Sequence, residues 1–328
     1  MTSVETHTRP ASQITAAVPA AVAAGIALLI SSLFPLVGPL LIALALGAIA
    51  ANTAISGLPV MKGHAKTTKL LLRLGVVLLG LKLPVQEILD IGPGGLAVVV
   101  LTVTVTYFST IIVGDRLGLD KGFVTLLAAG FSICGAAAIA AVDDTVRAKQ
   151  RFVALAVAMV TVFGSAMILL VPWLAGVLGL TAEQAAFWAG ASIHEVAQVV
   201  AAASIIGPSA LAVGTTAKLG RVVLLAPMYA VASRRGDRAA GQRAPLVPWF
   251  VIGFAVAVAV RSLDLLSTGA LSWSNGATTF LLAAGMFGLG MGIRVKEIWP
   301  LPLNAFLLAC ASTLVAAGTS LALIVGVM

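Results

Sequence analysis

The stretch Phe123-Val-Thr-Leu-Leu-Ala-Ala-Gly-Phe-Ser-Ile-Cys-Gly-Ala-Ala-Ala-Ile-Ala-Ala141 carries no charge, and at its middle it reads Gly130-Phe-Ser-Ile-Cys-Gly135. A spanning helix needs about 20 mostly apolar residues, so the run suits a bilayer in length and polarity. Small polar residues beside glycine at that depth let a helix unwind. An unwound backbone in lipid is tolerated only where protein buries it or it lines a cavity. A second apolar run, Ala182 to Ile206, repeats the pattern as Gly190-Ala-Ser-Ile-His-Glu195. Two interrupted segments would present half-helix ends whose amide dipoles bind ions without a full charge. Close helix packing through small residues is the alternative.

The rest of the chain has the same character. Of 328 residues, 60% are hydrophobic and 10% charged, against about 25% charged in a soluble domain. Mean hydropathy of +1.10 over the whole length spreads the apolar sequence through the chain. Candidate spans fall near Ile14 to Leu33, Val37 to Ala51, Thr67 to Leu83, Leu96 to Val113, Phe123 to Ala141, Phe152 to Leu178, Ala182 to Ile206, Ala210 to Ala232, Val247 to Val260, Thr278 to Ile293 and Leu303 to Val327. The expectation is a single polytopic, all-α membrane domain over 1–328, with a polar tail at 1–13, nine to eleven transmembrane segments and core motifs around 123–141 and 182–232. The first apolar run is expected to be a retained helix and not a cleaved signal. Cys134 and Cys310 lie inside apolar runs, without metal-ligand spacing or a disulfide pattern.

Lys and Arg outnumber Asp and Glu by 20 to 12 and gather between the apolar runs, which is a topology signal and not a nucleic-acid footprint. Lys62, His64, Lys66 and Lys69 form one basic cluster and Arg234, Arg235, Arg238 and Arg243 another. With the amino terminus inside and every earlier segment crossing, both clusters are cytoplasmic, but Arg147, Lys149 and Arg151 fall outside. The conflict disappears if the segments around Cys134 and His194 are re-entrant from opposite faces. Repetition points the same way. Gly75 to Ile88 aligns with Gly285 to Ile298 at an offset of 285 − 75 = 210, with six of fourteen positions identical. The copies lie in the third and tenth spans, an odd number of crossings apart, which inverts the second as in secondary transporters with inverted repeats.

Ionisable groups at membrane depth are functional candidates, because inserting them costs several kcal/mol. His194 and Glu195 lie midway along one run, and Lys218 and Arg221 about halfway along the next. Lys218 and Arg221, three apart, share a helix face and suit an anionic solute, with Arg supplying a planar fork. Pairing with Glu195 or snorkelling to an interface is the alternative. Glu195 or His194 could carry a coupling proton. Arg73 and Lys149 are secondary candidates. There is no His-Glu-x-x-His, Walker loop or nucleophile elbow, so no enzyme activity is expected.

These motifs, with Leu72 to Leu81, Ser192-Ile-His-Glu-Val-Ala-Gln198, Lys218-Leu-Gly-Arg-Val222 and Gly285 to Gly292, resemble the bacterial YeiH-like family, to which sulfate export is ascribed. That family is similar in turn to bile-acid symporters and cation/proton antiporters. The resemblance implies two discontinuous helices in a core that moves against a scaffold. The order of repeats here departs from a simple duplication, since the Gly190 motif precedes the segment that repeats Gly75.

The leading expectation is a multi-pass transporter of the bacterial inner membrane that exports a small inorganic anion such as sulfate or sulfite. Its expected solute contacts are Ser132, Cys134, Gly135, Ser192, His194, Gln198, Lys218 and Arg221, with Glu195 and His194 for coupling. No metal site or cofactor is expected beyond a coupling proton or sodium ion. The expected partners are the solute and the bilayer, with a homodimer left open and no nucleic acid. A sodium-coupled organic-anion carrier, using Ser132, Ser192 and Gln198, is the second reading. A non-transporting scaffold or sensor is the third.

Overall fold

The computed structural model describes residues 13–34, 38–61, 64–82, 84–146, 148–207, 209–235, 249–292, 294 and 302–327. Lys62, Arg147, Arg238, Arg243, Glu297 and Ile298 lie outside the described residues, as does nearly all of the polar tail. Where the chain is described it is helical: α1 (Gln13–Leu33), α2 (Pro39–Ala51), α3 (His64–Leu79) with a 3-10 turn at Gly80–Lys82, α4 (Val85–Asp90), α5 (Gly92–Arg116), α6 (Lys121–Ser132), α7 (Ala136–Val146), α8 (Gln150–Val177), α9 (Ala182–Ser192), α10 (Val196–Ile206), α11 (Ala210–Val223), α12 (Leu225–Ala232), α13 (Trp249–Ser262), α14 (Thr268–Gly290) and α15 (Leu303–Val327). Among the described residues, four paths are long and apolar enough to span by themselves: Gly92–Arg116, Arg151–Val177, Ala210–Ala232 and Leu303–Val327. This is an all-α membrane protein.

The two interrupted segments fold back as hairpins. Were α6 and α7 one broken rod, Gly130 and Ile139 would be more than 10 Å apart at the usual rise of about 1.5 Å per residue. Instead a Cβ on Gly130 would strike the Ile139 side chain, and one on Gly122 would touch Ala148. The Phe123 and Phe152 rings meet at a tilt, their centroids 5.5 Å apart. Likewise Ala186 of α9 packs with Ala203 of α10.

The hairpins enter from opposite faces. α5 and α15 run antiparallel, with Thr110 Oγ1 donating to Ser312 Oγ at 2.8 Å and Asn304 Nδ2 to the Leu117 carbonyl at 3.1 Å. The α6–α7 hairpin opens at the Gly114 and Leu308 end of this pair. The α9–α10 hairpin opens at the Val98 and Ile324 end, where Phe187 packs. Lys69, Arg116, Lys121, Lys149, Arg151, Arg234 and Arg235 therefore share one end of the bundle, and Asp90, Glu183 and Asp264 mark the other. The charge conflict in the sequence is resolved in favour of re-entry. Apart from the hairpins, nine paths run from face to face among the described residues: α1, α2, α3, α5, α8, α11 with α12, α13, α14 and α15.

The repeat at offset 210 extends well beyond the aligned glycines. A Cβ on Gly75 would strike Leu282, and one on Gly285 would strike Leu72, with 72 + 210 = 282. Gly80 faces the Phe254 carbonyl while Gly290 faces the Leu44 carbonyl, with 44 + 210 = 254. By the same offset α2, α3 and α5 correspond to α13, α14 and α15. The hairpins correspond at an offset of only 190 − 130 = 60, so the second hairpin precedes the second copy of the other helices. That swapped order accounts for the departure from simple duplication. Helices α1, α2, α3, α13 and α14 pack mainly on one another as a scaffold, and α5 to α11 with α15 form a core around the hairpins.

Gly290 meets backbone, which cannot move aside as a flexible side chain can. Gly290→Ala should therefore cost at least the ~1–3 kcal/mol of ordinary overpacking, measured by thermal unfolding in detergent. Gly25→Ala, where a Cβ meets nothing within 4 Å, should change little.

Candidate functional site

The hairpin tips, Ile133 to Gly135 and Ile193 to Glu195, meet inside the core. Each α6 and α9 end leaves its last carbonyls without intrahelical donors and points a negative dipole end inward. In hydrocarbon each orphan would cost several kcal/mol. Helix α11 supplies the donors. Gly190 of α9 lies so close to the Gly214 carbonyl that no Cβ fits, which lets α11 approach. Lys218 Nζ donates to the Ile133 and Ile193 carbonyls, both at 2.7 Å. Those two residues are equivalent under the 60-residue offset, so one ammonium ties the tips together.

Arg221 does the same with its fork. Nε donates to the Ser132 carbonyl at 2.9 Å, and Nη2 to the Phe131 and Ser132 carbonyls at 2.8 Å. Nη1 reaches across to the Ala191 carbonyl at 2.7 Å, Ile193 at 3.0 Å and Gly190 at 3.5 Å. Both cations are fully buried. They compensate two converging negative dipole ends, and neither borders the cavity at the tips. The structure thus brings Lys218 and Arg221 to the site expected from sequence but aims them at backbone, not at open space. Neither pairing with Glu195 nor snorkelling accounts for them.

On the other side of the tips, α7 and α10 begin, and their positive dipole ends converge. Glu195 stands at the N-cap of α10, where Gln198 Oε1 accepts the Glu195 N–H at 3.0 Å. Gln198 Nε2 donates to the Thr161 carbonyl at 3.2 Å. The Glu195 side chain also lies against Gly135, just ahead of α7. Gly135 has φ +73°, and a Cβ there would stand 2.6 Å from Glu195 Cγ. Glu195 is 4% exposed, and its Oε1 has no hydrogen-bond partner among the described residues. Here lies a cavity of about 40 Å³, lined from the hairpins by Cys134, Ala136, Ala137, Glu195 and Val196 and from the scaffold by residues including Leu72 and Leu282. It has room for a few water-sized groups.

None of the remaining expected residues, Ser132, Ser192, His194, Arg73 and Lys149, lines this cavity. The Ser132 and Ser192 hydroxyls turn back onto their own helices, donating to the Ala128 and Trp188 carbonyls at 2.6 Å each. His194 faces away from the cavity, its Nε2 3.3 Å from Thr313 Oγ1 and its ring 4.5 Å from that of Phe131. Arg73 stands over the Phe250 ring at 5.5 Å within the scaffold, and Lys149 is exposed ahead of α8. Sequence reasoning missed Leu72 and Leu282 as cavity walls. Their signal was their place three residues before the matched glycines Gly75 and Gly285.

A family model described as Conserved hypothetical protein 698 matches residues 16–309. A UPF0324 membrane protein of Corynebacterium glutamicum is 42% identical over 291 residues, covering 87% of this chain and 84% of that one. A UPF0324 membrane protein of Pseudomonas aeruginosa is 36% identical over 330 residues, 93% of each chain. Another, from Bacteroides thetaiotaomicron, is 34% identical over 283 residues, 83% of this chain and 84% of that one. No solved structure matches the chain significantly.

Proposed function

The chain belongs to the UPF0324 membrane-protein family, and from that footing we propose that it is a secondary transporter of a small oxyanion of the sulfate or sulfite type. The observation that carries this reading is the buried Glu195 carboxylate, one oxygen of which has no hydrogen-bond partner among the described residues, on the wall of a cavity where two helix N-termini converge. Helix N-termini favour anions, and with the cations on the far side of the tips the site is electropositive once Glu195 is neutral. Glu195 ionised occupies the place of the solute; Glu195 protonated yields it. Proton and anion therefore bind together. The expected alternation of a core against a scaffold, as in symporters and antiporters, draws support from the cavity's position between the two bundles.

Positive-inside bias sets the face bearing Lys121, Lys149, Arg234 and Arg235 in the cytoplasm of a bacterial inner membrane. A divalent oxyanion moving with one proton carries net charge −1. An inside-negative potential drives that charge outward with about 2.3 kcal/mol per 100 mV, which favours export. The sodium-coupled alternative draws less support, because both tip hydroxyls are bonded within their own helices.

Flux in proteoliposomes, across a panel of sulfate, sulfite, phosphate and organic acids, tests the assignment. Saturable flux of a small oxyanion, stimulated by a potential negative on the side of origin, is the expected result. Flux confined to organic acids with added sodium, or none with any anion, would remove it.

A further inference from the structure

A second cavity, also of about 40 Å³, lies between scaffold and core towards the basic face. It is lined in part by Thr68, Lys69, Leu72, Ala140, Asp143 and Gly288. Leu72 is a wall of both this cavity and the one at the hairpin tips. On α7 the wall runs through Ala136, Ala140 and Asp143, spaced four and then three apart, so they share one helix face. The inner residue, Ala136, borders the tip cavity, and the outer two border the second. A track of small side chains thus leads from the basic face to Glu195, interrupted by Leu72.

At its outer end stands an ion pair across the two bundles. Lys69 Nζ of α3 and Asp143 Oδ2 of α7 are 2.6 Å apart, and the Asp143 side chain is 3% exposed. The internal symmetry shows that this pair is peculiar to one face. Leu72 has an equivalent in Leu282, which also lines the tip cavity. Lys69 corresponds to Thr279 (69 + 210 = 279), and Asp143 to Ala203 (143 + 60 = 203), neither of which is charged.

We propose that Lys69 and Asp143 form an ionic lock on the access route from the basic face to the hairpin-tip cavity, with Leu72 as the inner gate and Leu282 as the gate to the opposite face. The lock rests on the reading of the tip cavity as the solute site. It joins scaffold to core, so the two bundles separate on this face only when the pair parts. Among the described residues, no ion pair joins the two bundles at the opposite face. The Lys69 ammonium, freed from Asp143, becomes the first cation that an entering anion meets.

Native Cys134 lines the inner cavity and reports on access whatever the solute is. With Cys310→Ala it is the only thiol in the full-length chain. Its labelling by an impermeant anionic methanethiosulfonate is followed in inside-out and right-side-out vesicles without solute. Lys69→Ala and Asp143→Ala are each expected to raise labelling from the basic face about tenfold, the response to a modest shift in population. Leu72→Ala should raise it as well, whereas Leu282→Ala should raise labelling from the other face. The charge swap Lys69→Asp with Asp143→Lys should restore the slow rate, and Lys121→Ala should leave it unchanged. Unchanged rates in Lys69→Ala and Asp143→Ala, an equal rise from both faces, or a swap as fast as the single variants would overturn the lock. A negative solute panel leaves these rates unaffected, so the two readings fail separately.

Discussion

Arg221→Ala should leave little folded protein. The guanidinium serves the carbonyls of Phe131, Ser132, Gly190, Ala191 and Ile193, all in the last turns of α6 and α9 or just beyond. Each buried acceptor left unpaired costs about 1–3 kcal/mol. Ile193 keeps its Lys218 donor, but the four other losses together still approach the ~5–15 kcal/mol that holds an ordinary domain together. Removing a buried cation also leaves two negative dipole ends opposed. Arg221→Lys should rescue poorly, because an ammonium with three donors at one point cannot serve all the carbonyls that the planar fork reaches. Size-exclusion profiles and thermal unfolding of the detergent-purified protein give the answer. A midpoint for Arg221→Ala within about 2 °C of the parent, a shift worth only about 1 kcal/mol in a chain of this length, would mean that the clamp does not hold the tips.

Glu195→Gln should keep the fold and uncouple transport from protons. Glutamine has the same shape and leaves the bond from the 195 N–H to Gln198 Oε1 in place, while it mimics the protonated state permanently. Parent flux should rise as pH falls, since solute and proton enter together, by up to about tenfold per pH unit for one linked proton. The variant should move the anion with no such slope and carry one more net negative charge per cycle. Flux and current measured in parallel in proteoliposomes distinguish the outcomes. A Glu195→Gln protein with the parental pH slope would assign the proton to another group.

Much of the architecture is legible in the sequence because lipid leaves few choices. The apolar runs mark the spans, and the misplaced Arg147, Lys149 and Arg151 point to two re-entrant segments before any contact is known. The matched Gly75 and Gly285 reveal the repeat because close helix approach forbids a side chain at both. The correspondence of α2 with α13 is hidden, since Leu44 and Phe254 supply only their carbonyls to Gly290 and Gly80, and a carbonyl has no sequence identity. The same limit conceals the partners of Lys218 and Arg221. Two buried cations read as an anion site, yet here the anionic ends are backbone. Ser132 and Ser192 look like solute ligands, but a hydroxyl in an apolar helix readily satisfies itself on the carbonyl four residues back. Leu72 and Leu282 become a pair of gates only once α3 and α14 pack antiparallel.

Everything functional depends on two hairpins that enter from opposite faces and meet at their tips. Sided labelling of single cysteines at Lys121, Lys149, Glu183 and Ser209, in a background without Cys134 and Cys310, tests this most directly. Positions 121 and 149 should react only from the basic face, and 183 and 209 only from the other. Reaction of 121 and 149 from opposite sides would make the first segment a crossing helix, and the shared site at the tips could not exist.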